Sequence, residues 1–294
     1  MFIARNIVIG CVALAFAFSV NARVVDPDVP ITSYVSFQSP NIILSESGPI
    51  LGEPLTISGQ LRIPSAEEPI PAVVVLHGSA GLDSRGGLYV KALNNAGIAT
   101  LEIDMWAARG LSGGGNRPPL PTFTVPDAFS ALKYLAEIPA IDPNRIGVLG
   151  FSWGGVVTML AATNFYTDEY GEDLTFAAHI AHYPVCWAYT AGINGIFFDN
   201  LTGNPVLIQI GDRDDYDDGP GPCEALAAPF SNVSVNVYKN SYHAWDRLQP
   251  AITVIDPFSH QGVGGEVEIA PSPGKAFKSR ANVVEFFEAG LGME

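Results

Sequence analysis

The sequence predicts an α/β protein built on a mostly parallel sheet, with an antiparallel edge at its N-terminal side and helices on both faces. Three observations predict it. Apolar runs of strand length alternate with helix-like segments along most of the chain. Hydrophobic residues make up 48% of the 294 positions and charged residues only 15%, enough apolar material for one sizeable buried core. A buried-strand pattern, a glycine-flanked serine and a helix-like run also follow one another without a gap at "NRIGVLGFSWGGVVTMLAATNF".

In chain order, "MFIARNIVIGCVALAFAFSVNA" places one arginine ahead of an apolar stretch ending in a small-residue cleavage pattern. Residues 1–22 therefore read as a signal peptide, which sends the chain to a secreted or periplasmic location and leaves residues 23–294 as a single domain. The apolar stretch runs well past Cys11, which favours cleavage after Ala22 over acylation at that cysteine. No later segment is long and apolar enough to span a membrane.

From residue 23 to about 70, "SYVSFQ" and "PLTISGQLRIP" read as an antiparallel hairpin at the sheet edge, punctuated by Pro, Gly and Ser clusters. The parallel strands are expected in "PAVVVLH", "GIATLEID", "NRIGVLG", "TFAAHIAHYP", "NPVLIQIGD" and "VSVNVYK". Helices are expected near 85–96, 125–138, 153–165, 222–230 and 275–291. Residues 248–273, rich in Gly and Pro, read as one long irregular loop.

Charge excludes some partners. With 30 acidic against 15 basic residues, a net charge of −15, the chain is repelled by nucleic acid and anionic membrane surfaces. Of three cysteines, Cys186 and Cys223 remain after signal cleavage, in a compartment where a disulfide between them is the default expectation and two buried free thiols the alternative.

Ser152, in Gly150-x-Ser152-x-Gly154, is the candidate nucleophile. On a tight strand-to-helix turn the serine is held in a strained conformation, and small residues two positions away let strand and helix approach. Gly155 adds a further close-packing position, and Val156, Met159, Leu160 and Phe165 suit the helix that follows. A serine is unreactive at its free pKa, so it needs a base, and the base an orienting carboxylate. Five histidines are available. His179 and His182 sit inside an apolar strand and read as hydrogen-bonded core residues, and His77 ends a strand. His243 follows the last parallel strand, at the sheet's carboxyl end where ligands bind, and is preferred over His260 in the irregular tail.

The acid is expected between serine and histidine, and "IQIGDRDDYDDGPGPCE" offers five aspartates there. Most of Asp212, Asp215, Asp217 and Asp218 read as a solvated acidic turn. A calcium loop fits poorly, because counting from Asp214 puts Tyr216 at the third ligand position and no glutamate at the twelfth, and no metal site or cofactor is expected.

Together these segments resemble the dienelactone hydrolase family of α/β-hydrolases over nearly the whole mature length. "PAVVVLHGSAGLDSRG" looks like the strand and oxyanion loop, "GFSWGG" like the nucleophile elbow, "LIQIGDRDD" like the Gly-x-x-Asp acid turn and "YHAWD" like the histidine loop, in the family's order. The resemblance implies the α/β-hydrolase fold, Ser152 as nucleophile, Asp214 as acid and His243 as base. It also implies an oxyanion hole from the backbone N–H of Trp153 and that of Gly78 or Ser79. Dienelactone hydrolase proper carries cysteine at the nucleophile position. Ser152 therefore places the chain on a serine branch and makes ordinary carboxylic esters the expected substrates.

Trp106, Trp153, Trp187 and Trp245 all follow expected strands and could wall one crevice for an apolar or aromatic ester; packing separately into the core is the alternative. Arg109 could orient a substrate carboxylate or form a structural ion pair. A secreted esterase competes with an acyltransferase or peptidase on the same scaffold and with a non-catalytic binding protein. The last is disfavoured because all three triad residue types are present. Asn200 and Asn232 begin glycosylation sequons, and oligomeric state is not legible.

Overall fold

The computed structural model describes residues 29–293, so the expected signal peptide and Cys11 lie outside the described residues. The chain opens with β1 (Ile31–Ser39), β2 (Ile42–Ser45), β3 (Gly48–Leu51) and β4 (Leu55–Ile63), followed by β5 (Ile70–Leu76), α1 (Ser84–Asn95) and β6 (Ala99–Asp104). Then come α2 (Val125–Ala136), β7 (Ile141–Phe151), α3 (Trp153–Ala161), α4 (Asn164–Tyr170) and β8 (Ala178–His182). The remainder is β9 (Val206–Arg213), α5 (Gly221–Ala227), β10 (Val233–Tyr242), β11 (Ile252–Asp256), the short turn α6 (Ser259–Gly262), β12 (Gly265–Ile269) and α7 (Pro273–Gly290).

Eight strands form the main sheet in the order β1-β4-β6-β5-β7-β8-β9-β10. The pairs β1/β4 and β4/β6 are antiparallel, and every pair from β6 to β10 is parallel. The central strands are buried on both faces. That is why "AVVVL" in β5 and "AHIAH" in β8 are near-continuous apolar runs rather than alternating ones. The edge strand β1 is mostly exposed and alternates instead.

Helices cover both faces. On one, α7 packs on α1 and places Phe287 against Gly147 of β7, where a Cβ would lie 2.5 Å from the ring. On the other, α2, α3 and α4 pack together. All nine residues of α3 are buried, so this helix is apolar all round, without a polar stripe. Asp83 caps α1 by accepting the N–H of Arg85 at 3.0 Å.

Three expected elements differ in detail. The N-terminal edge pair is β1 with β4, and a separate small hairpin, β2 with β3, is inserted between them. The helix expected over 153–165 is two helices, because Thr163 caps α4 with its side chain and breaks the run after Ala161. The segment 248–273 is ordered around the antiparallel pair β11/β12 rather than being one irregular loop. No helix among the described residues is long and apolar enough to cross a membrane.

Candidate active site

All six parallel strands carry a distinctive residue just beyond their carboxyl ends: His77 after β5, Trp106 after β6, Ser152 after β7, Tyr183 after β8, Asp214 after β9 and His243 after β10. This edge is where ligands bind in open α/β sheets.

Ser152 has φ 51° and ψ −108°, a conformation that L-residues avoid, between the last residue of β7 and the first of α3. Its N–H donates to the carbonyl of His182 at 2.9 Å, which ties the turn to the neighbouring strand. The flanking glycines explain how so sharp a turn packs. A Cβ on Gly150 would lie 2.0 Å from the carbonyl oxygen of Gly154, and one on Gly154 would lie 2.3 Å from the carbonyl oxygen of Leu76.

The Ser152 hydroxyl is 3.0 Å from His243 Nε2, and His243 Nδ1 is 2.8 Å from Asp214 Oδ2. All three side chains are buried. Asp214 accepts a hydrogen bond from Nδ1–H, so the Nε2 lone pair faces the serine hydroxyl. The imidazole is held between the rings of Tyr183 and Tyr216, with centroids 4.6 and 4.4 Å away. Asp214 Oδ1 accepts the backbone N–H of Tyr216 at 3.0 Å. The arrangement can move a proton from the serine to the imidazole and hold the resulting charge beside a buried carboxylate.

Of the oxyanion candidates, Ser79 and Trp153 border the cavity above Ser152, whereas Gly78 does not. Among the described residues no protein acceptor meets the N–H of Ser79 or Trp153. The loop is fixed by His77, whose Nδ1–H donates to the Gly78 carbonyl at 2.8 Å and whose Nε2 accepts the N–H of Met105 at 3.0 Å. Burial pulls the pKa of His77 down to about 4, so it stays neutral and keeps this donor–acceptor pair.

Two family signatures match parts of the chain: the esterase FrsA-like family over residues 49–166 and the prolyl oligopeptidase family over residues 119–214. No curated protein matches it. Among solved structures it is similar to a dienelactone hydrolase from Anabaena variabilis, with TM-score 0.55 and 18% identity over 88% of this chain and 98% of that one. An esterase from Pyrobaculum calidifontis gives TM-score 0.56 and 16% identity over 90% of this chain and 87% of that one. The protein Est1E from Butyrivibrio proteoclasticus, with ferulic acid bound, gives TM-score 0.51 and 20% identity over 64% of this chain and 88% of that one.

The chain has the α/β-hydrolase fold. Within it, the other residues singled out from the sequence are distributed unevenly. Of the four tryptophans, only Trp153 borders the cavity beside Ser152. Trp245 is fully buried behind His243, stacked on Tyr238 and His182. Trp106 is also buried, donates Nε1–H to the Ser79 carbonyl at 3.2 Å and packs edge-on against His77 and Trp153. Trp187 donates to the Phe258 carbonyl at 3.2 Å and covers Gly262. The single aromatic crevice is thus corrected to one wall residue and three packed indoles. Arg109 forms a structural ion pair, 2.7 Å from the buried Asp127, and borders neither cavity.

Cys186 and Cys223 form a disulfide with Cα atoms 5.0 Å apart. Asp217 lies within 4.8 Å of both sulfurs, but a bonded pair leaves no thiolate to hold a metal. The runner-up base His260 is half-buried and pairs with Asp218 at 2.7 Å.

Behind these three residues lies a buried network of which the sequence indicates only His182, as a hydrogen-bonded core residue. His182 Nδ1–H donates to Asp246 Oδ2 at 2.9 Å, and Tyr183 and Tyr89 donate to the same carboxylate at 2.6 and 2.7 Å. Arg85 reaches the Tyr183 hydroxyl at 3.3 Å and pairs with Asp83 at 2.6 Å. Burial alone would raise the pKa of Asp246, but the hydrogen bond and charge of His182, with Arg85 and Tyr183, hold it below its ordinary value. Arg117 is a second omission. It donates to Ser79 Oγ at 2.6 Å and to Asp256 Oδ2 at 2.7 Å, bridging the loop after β5 to the end of β11. Its sequence signal is a lone cation after a triple glycine, in the loop that follows β6.

Proposed function

We propose that this protein hydrolyses carboxylic esters through an acyl-enzyme on Ser152. The observation that carries the reading is the buried chain Asp214–His243–Ser152, with contacts of 2.8 and 3.0 Å, ending on a serine in strained conformation. His243 takes the hydroxyl proton as Ser152 attacks the ester carbonyl, then returns it to the departing alcohol. Water activated by the same imidazole releases the acid. Asp214 fixes the tautomer throughout. The backbone N–H groups of Trp153 and Ser79 are the oxyanion donors, each worth about 3–4 kcal/mol of transition-state stabilisation.

The substrate class is an apolar or aromatic ester, supported by Trp153, Val156, Ile196 and Phe258 around the cavity and by the ferulic acid bound in Est1E. The role is that of a secreted or periplasmic enzyme, on the strength of residues 1–22 and a disulfide suited to an oxidising compartment. The partial match to the prolyl oligopeptidase family supports a second reading, a peptidase using the same triad.

Hydrolysis of p-nitrophenyl esters and of matching anilides, by wild type and Ser152→Ala, tests both. Ester turnover that falls by about 10⁶-fold in the variant is the expected result. Turnover of anilides alone would favour the peptidase, and undiminished ester turnover in Ser152→Ala would overturn the nucleophile.

A further inference from the structure

Ser152 opens onto two cavities rather than one. They share five residues, Ser79, Arg117, Ser152, Tyr216 and Asp256, and otherwise have different walls. The smaller is bordered by the apolar side chains of Trp153, Val156, Ala188, Ile196 and Phe258. The larger contains His243 and is bordered by Arg85 and Arg247 and by the apolar Ala80, Ile252, Val254, Ile255 and Ile269. His243 does not border the smaller cavity. The shared residues form a bonded partition: Arg117 donates to Ser79 and Asp256, and the Tyr216 hydroxyl donates to the same Asp256 oxygen at 3.1 Å.

The chemistry of an ester assigns these two spaces. In the tetrahedral intermediate the carbon carries the serine oxygen, the oxyanion, the acyl group and the alkoxy oxygen. Collapse breaks the bond to the alkoxy oxygen, which leaves with the proton that His243 Nε2 took from Ser152. The alkoxy group must therefore lie beside His243, while the oxyanion points at the N–H groups of Trp153 and Ser79. Only the other cavity is left for the acyl group.

Resting on the ester-hydrolase reading above, we infer that the cavity walled by Val156, Ala188, Ile196 and Phe258 binds the acyl group and the larger cavity that contains His243 binds the alcohol. The substrate is then an ester of a compact apolar acid with a bulkier alcohol. Arg85 and Arg247 at the border of the larger cavity are both paired with Asp83, at 2.6 Å and 3.7 Å, so room beside His243 rather than free charge distinguishes it. Arg117 and Asp256 act as the divider, so acyl and alcohol preferences are set by separate residues.

The test uses two substitutions, Ile196→Ala to open the acyl cavity and Ala80→Phe to fill the alcohol cavity. Two ester series are compared, one varying the acid on a fixed alcohol and one varying the alcohol on a fixed acid. Single-turnover measurement adds the rate at which a given acyl-enzyme is hydrolysed, a step that the alcohol has already left. Ile196→Ala is expected to shift the preferred acyl group to a longer one and to change that deacylation rate. Ala80→Phe is expected to lower kcat/KM by about tenfold for bulky alcohols relative to methyl esters, with deacylation of the same acyl-enzyme unchanged. Val156→Ala probes the same acyl wall from α3 if Ile196→Ala fails to fold. Ser152-dependent turnover with these effects exchanged, or with both substitutions acting on both series alike, would overturn the assignment alone. Absence of Ser152-dependent turnover on every ester would overturn the hydrolase reading and the assignment with it.

Discussion

Replacing Asp214 by Asn changes one atom of a buried carboxylate, and the surrounding contacts decide what that atom does. Asp214 is 1% exposed; Oδ1 accepts the Tyr216 N–H at 3.0 Å and Oδ2 accepts His243 Nδ1–H at 2.8 Å. An asparagine keeps the first contact only by placing its oxygen toward Tyr216, which turns its NH₂ toward His243. Nδ1 must then become an acceptor, the ring proton moves to Nε2, and the imidazole presents a donor to Ser152 where the reaction needs an acceptor. The expected loss is about 10⁴-fold in kcat, equivalent to about 5–6 kcal/mol, with little change in melting temperature because the side chains are isosteric. The assay is steady-state hydrolysis of a p-nitrophenyl ester by wild type, Asp214→Asn and Asp215→Asn. Asp215 accepts the N–H of Glu268 at 2.7 Å and touches no triad atom, so its variant should stay within a few-fold of wild type. Equal losses at the two aspartates, or an Asp214→Asn enzyme with near wild-type kcat, would refute the assignment of the acid.

Two further outcomes are expected. Cys186 and Cys223 are separated by 37 positions, and releasing a loop of that size in the unfolded chain lowers stability by about 4 kcal/mol. The double replacement by alanine should show this as a lower midpoint in guanidinium unfolding, and an unchanged midpoint would contradict it. Burial, and then the charge of Asp214, raise the pKa of Asp217 from 3.8 to about 7. Between those values the native protein holds a proton that the unfolded chain has released, so stability falls as pH rises through the window. Asp217→Asn removes this titration, and its melting temperature should lose the fall that wild type shows between pH 4 and 7. Parallel curves for the two proteins would refute the sign.

The parallel strands were legible because each is buried on both faces and leaves an uninterrupted apolar run, as in β5 and β8. The elbow was legible because its two close approaches, at Gly150 and Gly154, leave no room for a side chain. The aspartates of the 212–218 turn were not separable from the residues alone, since nothing in the sequence tells a carboxylate where it points. In space they diverge: Asp214 faces His243, Asp217 accepts the N–H groups of Cys186 and Trp187, Asp212 accepts from Ser241, and Asp218 pairs with His260. The tryptophans misled because a position just after a strand does not fix whether an indole turns outward or back. Trp245 turns back and fills the space between Tyr238 and His182. The pair β11/β12 was hidden by its flanking Gly and Pro residues, and with it the partners of Arg117 and Tyr216 at Asp256.

The central claim is that the Ser152 Oγ takes the acyl group, and covalent trapping tests it most directly. The protein would be incubated with a fluorophosphonate, digested and analysed by peptide mass spectrometry, with His243→Ala in parallel. Phosphonylation of one site per chain, on the peptide containing Ser152, and strongly slowed in the histidine variant, is the result expected. An unlabelled Ser152 in folded wild-type protein, or labelling that His243→Ala leaves undiminished, would contradict the account.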